Sequence, residues 1–247
     1  MLPTKTKQRR SKKKLATPPS LESAQQAVKM LAKEMHSDVN GGNDEDMKEV
    51  TQRYNQIKQE VANQTHIGFV LDDSGSMNSK KSLAVSSYNA LLQSQAALRG
   101  KPTFSLSTFK QTGQVMPLHQ ASLLIQRSFP CSGNTPLYDT IAETILQIER
   151  ECSNDVVVVI ITDGEENCSR EWRDPGRLAQ LVQAKQDLGW QFIYCSSSWN
   201  AIRDGLKIGI PERCISNFQD MPMLFQAVGR LLTSYRRGEI KQITFEK

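Results

Sequence analysis

The chain has 247 residues, with 31 basic and 26 acidic side chains. Lys5, Lys7, Arg9, Arg10, Lys12, Lys13 and Lys14 all precede the first acid, Glu22, so the rest of the sequence carries 24 basic against 26 acidic groups and the net charge of +5 belongs to a leader. No stretch reaches the ~20 apolar residues of a membrane span, and the basic start lacks the apolar run of a secretory signal.

In chain order, residues 1–19 read as a disordered basic leader ending in Pro18 and Pro19. Leu21, Ala24, Val28, Leu31 and Met35 recur at steps of three and four, as do Met47, Val50, Tyr54, Ile57 and Val61. Both patterns predict amphipathic helices, joined through the turn-rich HSDVNGGNDE, so 20–64 is expected to be a helical hairpin. A single domain is expected over 65–247. IGFVL predicts a buried strand, SKKSLAVSSYNALLQSQAAL a helix, TFSLSTF a strand and QVMPLH a short edge strand, since it contains a proline. PLYDTIAETILQIER predicts a helix, and DVVVVIIT a central parallel strand buried on both faces. Helix, strand, helix, strand and helix follow in PGRLAQLVQAKQDLG, WQFIYCS, WNAIRDGLKIG, CISNF and MPMLFQAVGRLLTSYRR. EIKQITFEK is either an added strand or a frayed end. The alternation predicts an α/β fold, a mostly parallel central sheet with helices on both faces, with ligands at the carboxyl ends of the strands.

Three segments occupy those strand ends: Asp72-Asp73-Ser74-Gly75-Ser76, the CSGNTPLYD segment with Thr135, and Thr162-Asp163-Gly164. In an extended loop, alternate side chains share a side, so Asp72, Ser74 and Ser76 are expected to converge. With Thr135 and Asp163 they offer five hard oxygen groups and two formal negative charges. That donor set suits Mg²⁺, with Mn²⁺ or Ca²⁺ as alternatives, and does not suit zinc or copper. It does not close a cage, so one position should face solvent, where a partner's carboxylate can complete the coordination. Capping of the following helices by Ser76, Ser79 or Thr135 is the competing reading. Asp73, Glu165 and Glu166 are expected to be solvated rim residues, and Trp172, Trp190 and Trp199 to be packing residues.

DDSGS, GNTPLYD and VVVVIITDGEEN together resemble the D-x-S-x-S, threonine-loop and T-D-G segments of von Willebrand factor A domains, in the family's order. The resemblance covers about residues 65–236. It implies a metal-ion-dependent adhesion site with Ser74, Ser76 and Thr135 as hydroxyl ligands and Asp72 and Asp163 as carboxylates. It also implies a protein partner supplying an Asp or Glu, with an ATPase or an assembly component as the type of partner seen among intracellular relatives. Asn78, Ser79, Lys80 and Lys81 stand where some integrin relatives carry further acids, so no second adjacent metal is expected.

Catalysis is not expected. There is no G-x-x-x-x-G-K-[ST] loop, DDSGS lacks the D-x-D arrangement of aspartate-based phosphatases, and Ser74 has no G-x-S-x-G elbow. A metal-dependent hydrolase stays open as an alternative, as does nucleic-acid association through the basic leader. The five cysteines, Cys131, Cys152, Cys168, Cys195 and Cys214, show no CxxC spacing, which points to reduced thiols and a cytoplasmic setting.

Overall fold

The computed structural model describes residues 65–152 and 155–245, together with Lys48 and Gln52, both helical. The basic leader and, apart from those two positions, the expected hairpin lie outside the described residues.

Six strands form one sheet in the order β3-β2-β1-β4-β5-β6. They are β1 (His66–Leu71), β2 (Thr103–Ser107), β3 (Met116–Pro117), β4 (Val156–Thr162), β5 (Gln191–Ser196) and β6 (Ile215–Asn217). All neighbours pair in parallel except β2 and β3. The antiparallel β3 is the edge strand containing Pro117, where a missing N–H is tolerated. Five α-helices lie within residues 65–245: α1 (Lys81–Ala96), α2 (Leu137–Glu151), α3 (Pro175–Asp187), α4 (Ala201–Lys207) and α5 (Met221–Arg236). The α/β, mostly parallel architecture expected from the sequence is present.

The period of two along β4 divides the core. Val157, Val159 and Ile161 pack with residues of α1 and α5, including Tyr88, Leu92, Phe225 and Val228. Val156, Val158 and Ile160 pack with residues of α2 and α3, including Ile141, Ile145, Leu178 and Val182. Every residue of β4 is buried, which is why its sequence is a β-branched run without alternation. Asp174 caps α3 by accepting from Gly176 N, and Asp220 caps α5 by accepting from Met223 N.

The segment from Glu239 to Phe245 is neither an added strand nor a frayed end. Ile243 is buried, its N–H donates to Gln191 Oε1 at 3.2 Å, and Phe245 N donates to Arg213 O at 2.8 Å. Apolar anchoring fixes it without a ladder of its own.

Candidate metal centre

The strand order makes the site. From β1 the chain moves outward to β2 on one side, while β4 lies on the other side of β1. The loops leaving β1 and β4 therefore diverge, and a crevice opens at the carboxyl ends where strand order reverses. Leu71 pairs with Ile161, and Asp72 N donates to Ile161 O at 2.9 Å, so Asp72 and Asp163 leave adjacent strands side by side.

Three loops are stitched together around that crevice. Gly75 N donates to Gly133 O at 3.1 Å and Ser132 N to Asp73 O at 2.9 Å, joining the first loop to the threonine loop. Thr135 N donates to Asn167 Oδ1 at 2.9 Å, and Asn167 N returns to Thr135 O at 3.2 Å, joining the threonine loop to the third. Thr162 Oγ1 donates to Asp72 Oδ2 at 2.6 Å, and Ser76 Oγ to Asp163 Oδ1 at 2.6 Å, joining the third loop to the first.

The five expected site residues are brought to one place. Ser74 Oγ and Ser76 Oγ lie 3.0 Å apart. A methyl group placed on Gly164 would lie 3.4 Å from Thr135 Oγ1, 3.7 Å from Ser76 Oγ and 3.9 Å from Asp72 Oδ2. Three of the expected donors thus surround one small volume, which the glycine leaves open. The capping alternative fails: the N-cap residues of the Gly75–Lys80 turn, α1 and α2 are Ser74, Lys80 and Pro136, none of which makes a side-chain cap hydrogen bond. The extended-loop geometry needs correction. Ser74 is extended, but Gly75–Lys80 is a 3₁₀ helix, so the two serine hydroxyls meet by a turn and not by strand alternation.

Asp72 is fully buried. Burial pushes its carboxyl above the usual range, hydrogen bonds from Ser74 and Thr162 oppose the rise, and the charge of Asp163 adds to it. Among the described residues no Lys or Arg pairs with Asp72. Lys80 instead places its ammonium 2.8 Å from Asp163 Oδ2 and 3.2 Å from Ser197 Oγ. Among the described residues no three His, Cys, Asp or Glu side chains cluster as a metal site. The donor set here is two carboxylates with three hydroxyls, a hard-oxygen set. A buried carboxylate with no cationic side-chain partner, in a cradle of hydroxyls, fits a small divalent cation.

Several residues differ from the sequence expectation. Asp73 is buried and not a solvated rim residue. It accepts from Phe109 N at 3.0 Å and pairs with Lys110 at 3.1 Å, which pins the loop after β2. Glu166 accepts from Tyr138 N, Cys168 N, Ser169 N and Ser169 Oγ at 2.6–2.9 Å, so it locks the third loop to the start of α2. Glu165 is exposed, as expected. Trp190 is buried, and Arg177 lies 4.0 Å over the half-buried Trp172 ring. Trp199 is 98% exposed, which corrects its expected packing role. Sequence reasoning also missed Thr162, Asn167 and Lys80 as residues that fix the site. Thr162 alone left a trace, as the residue before the Asp-Gly pair.

No protein-family model matches the sequence, and no curated protein matches it either. Solved structures do resemble it. Proximal thread matrix protein 1 from the mussel byssus aligns at a TM-score of 0.50 with 12% identity, over 77% of this chain and 51% of that one. A von Willebrand factor type A protein from Catenulispora acidiphila aligns at 0.48 with 14% identity, over 70% and 42%. The chain has the von Willebrand factor A fold. Manganese-loaded TRAP protein from Plasmodium vivax aligns at 0.44 with 14% identity, over 61% and 65%. The chain spans less than two thirds of the length of each of these three. At such identities the likeness to the von Willebrand factor A structures is one of fold alone.

Proposed function

We propose that this domain is a metal-dependent protein-binding module. Asp72, Ser74, Ser76, Thr135 and Asp163 hold a divalent cation, Mg²⁺ or the similarly hard Mn²⁺ or Ca²⁺, and a carboxylate from a partner protein completes its coordination. The observation that carries this reading is the convergence of Thr135 Oγ1, Ser76 Oγ and Asp72 Oδ2 on the space beside Gly164. The cation supplies the charge that attracts the partner's Asp or Glu. The chain's own part is to orient the donors: Thr162 holds Asp72, Asn167 holds the Thr135 backbone, and Glu166 fixes the loop between them.

Among the described residues, binding is favoured over hydrolysis by where the two histidines, His66 and His119, lie. His66 starts β1 while Asp72 follows its end, roughly 20 Å away at ~3.3 Å per residue. His119 follows Leu118, whose N–H donates to Pro102 O just before β2, again at the far end of the sheet. Neither supplies a base for Ser74. The five cysteines are free, which supports a reducing, cytoplasmic setting, and an ATPase or an assembly component fits as partner there. Among the described residues no helix is long and apolar enough to cross a membrane.

Calorimetric titration with Mg²⁺ and Mn²⁺ tests the reading. Saturable uptake should occur in the wild type and be lost in Asp163→Ala and in the double variant Ser74→Ala/Ser76→Ala, both with unchanged circular dichroism. Absence of uptake by the wild type, even with an acidic peptide library present, would reject it.

A further inference from the structure

The loop after β5 carries the most exposed large apolar side chain in the described structure, Trp199 at 98% exposure. Large apolar side chains are normally left outside singly and partly covered, and exposed tryptophans concentrate at interaction surfaces. Trp199 is not alone. Ile202 and Leu206, four residues apart on α4, are 45% and 50% exposed, and Trp199 stands in the turn just before that helix. Ala201, Gly205 and Ile208 take the opposite, buried side.

This loop adjoins the candidate metal centre on two sides. Lys80 Nζ bridges Asp163 Oδ2, at 2.8 Å, and Ser197 Oγ, at 3.2 Å. Asn200 Nδ2 donates to Glu165 Oε1 at 2.7 Å, two residues beyond Asp163. The polar groups of the loop are spent on holding it. Ser198 N donates to Ser196 Oγ at 3.1 Å, Asn200 N to Ser198 Oγ at 3.1 Å, and Asn217 Nδ2 to Ser198 O at 2.6 Å. The indole is thus presented on a fixed backbone, so little ordering entropy opposes its burial by a partner.

We propose that Trp199, with Ile202 and Leu206, is the specificity surface of the metal centre. The occupant is a protein segment whose metal-completing Asp or Glu is flanked, within a few residues, by a large aromatic or aliphatic side chain. The carboxylate is drawn to the cation and to Lys80, and the apolar side chain covers the indole. The proposal rests on the metal-site reading above.

The test is selection from a displayed library of random peptides with one fixed Asp, against the full chain, in Mn²⁺ and in EDTA. Wild-type protein should enrich, in Mn²⁺ only, peptides with an aromatic or aliphatic residue at a constant offset from the Asp. Trp199→Ser should bind those peptides at least about fivefold more weakly, the loss seen when an interface anchor is truncated. It should take up Mn²⁺ with unchanged affinity, which shows that the fold and the centre are intact. Metal-dependent enrichment without apolar preference, or with a preference that persists in Trp199→Ser, would overturn this proposal and leave the metal reading standing. No metal-dependent enrichment with any protein would overturn both. Concentration-dependent dimerisation of the wild type, lost in Trp199→Ser by sedimentation, would assign the patch to a second copy and overturn the proposal.

Discussion

Lys80→Met should tighten divalent-cation binding. The Lys80 ammonium is 2.8 Å from Asp163 Oδ2, and its side chain is 38% exposed against 2% for Asp163. A cation held by the same carboxylate shares it with a positive charge already in place. Two unit charges 4 Å apart interact by about 1 kcal/mol in water and about 4 kcal/mol at an effective dielectric constant near 20. A divalent ion doubles the repulsion. Exposure of Lys80 to solvent and salt pulls the value toward the low end, and freeing Asp163 from its partner opposes the gain. The net expectation is about 1–2 kcal/mol, or roughly 5–30-fold in Kd. Methionine keeps an unbranched apolar stem of similar length, so packing is preserved. Mn²⁺ titration by calorimetry at low and at molar salt measures the effect, and the gap between the two proteins should narrow in salt. Lys80→Arg, which keeps the charge, should stay near wild type. Unchanged or weaker binding by Lys80→Met would refute the electrostatic reasoning and make Lys80 a support for Asp163 rather than a competitor.

Gly164→Ala should fold, because its added carbon makes only ordinary contacts at 3.4–3.9 Å, yet it intrudes among the donors and should weaken Mg²⁺ by about tenfold or more, as titration would show. Glu166→Ala leaves four donors without their acceptor and should lower unfolding stability by about 2–4 kcal/mol, read from the urea midpoint. His66 is buried against Thr103 and Ser105, and burial lowers its pKa from 6.5 to about 4. The unfolded chain binds the proton first on acidification, so stability is full above pH 6.5 and falls as the pH drops toward 4. About 2 kcal/mol should be lost between pH 7.5 and 5, and His66→Gln should remove that part of the pH dependence of the urea midpoint.

What the sequence displayed well was what burial dictates. A residue run such as VVVVIIT has one stable place, the middle of a doubly covered sheet, and β4 is there with every residue buried. The start of α3 was legible from Pro175, while its cap Asp174 and the cap Asp220 of α5 emerge only from the structure. Less legible was anything held by loop hydrogen bonds of long range. Glu166 reaches Tyr138, and Asp73 reaches Lys110, across 28 and 37 residues. Such contacts leave no period in the sequence, so both acids read as solvated. Trp199 failed in the opposite sense. A tryptophan reads as core by default, and only the fold shows that the inner side of α4 is already filled by Ala201, Gly205 and Ile208.

The placement of Asp72 and Asp163 bears on why the fold carries this cost at all. Two carboxylates on adjacent strand ends repel, and the burial of Asp72 compounds that penalty. A scaffold selected for stability alone would put apolar or neutral groups at Asp72, where no basic side chain among the described residues compensates it. Instead the surrounding residues keep both acids oriented as acceptors: Thr162 and Ser74 donate to Asp72, and Ser76 and Lys80 donate to Asp163. Hydrogen bonds of this kind hold geometry and only partly offset charge. A cation in the space beside Gly164 would convert the repulsion into attraction. On the proposed reading, the local penalty would be the sequence-encoded counterpart of cation affinity, which Lys80 is expected to moderate.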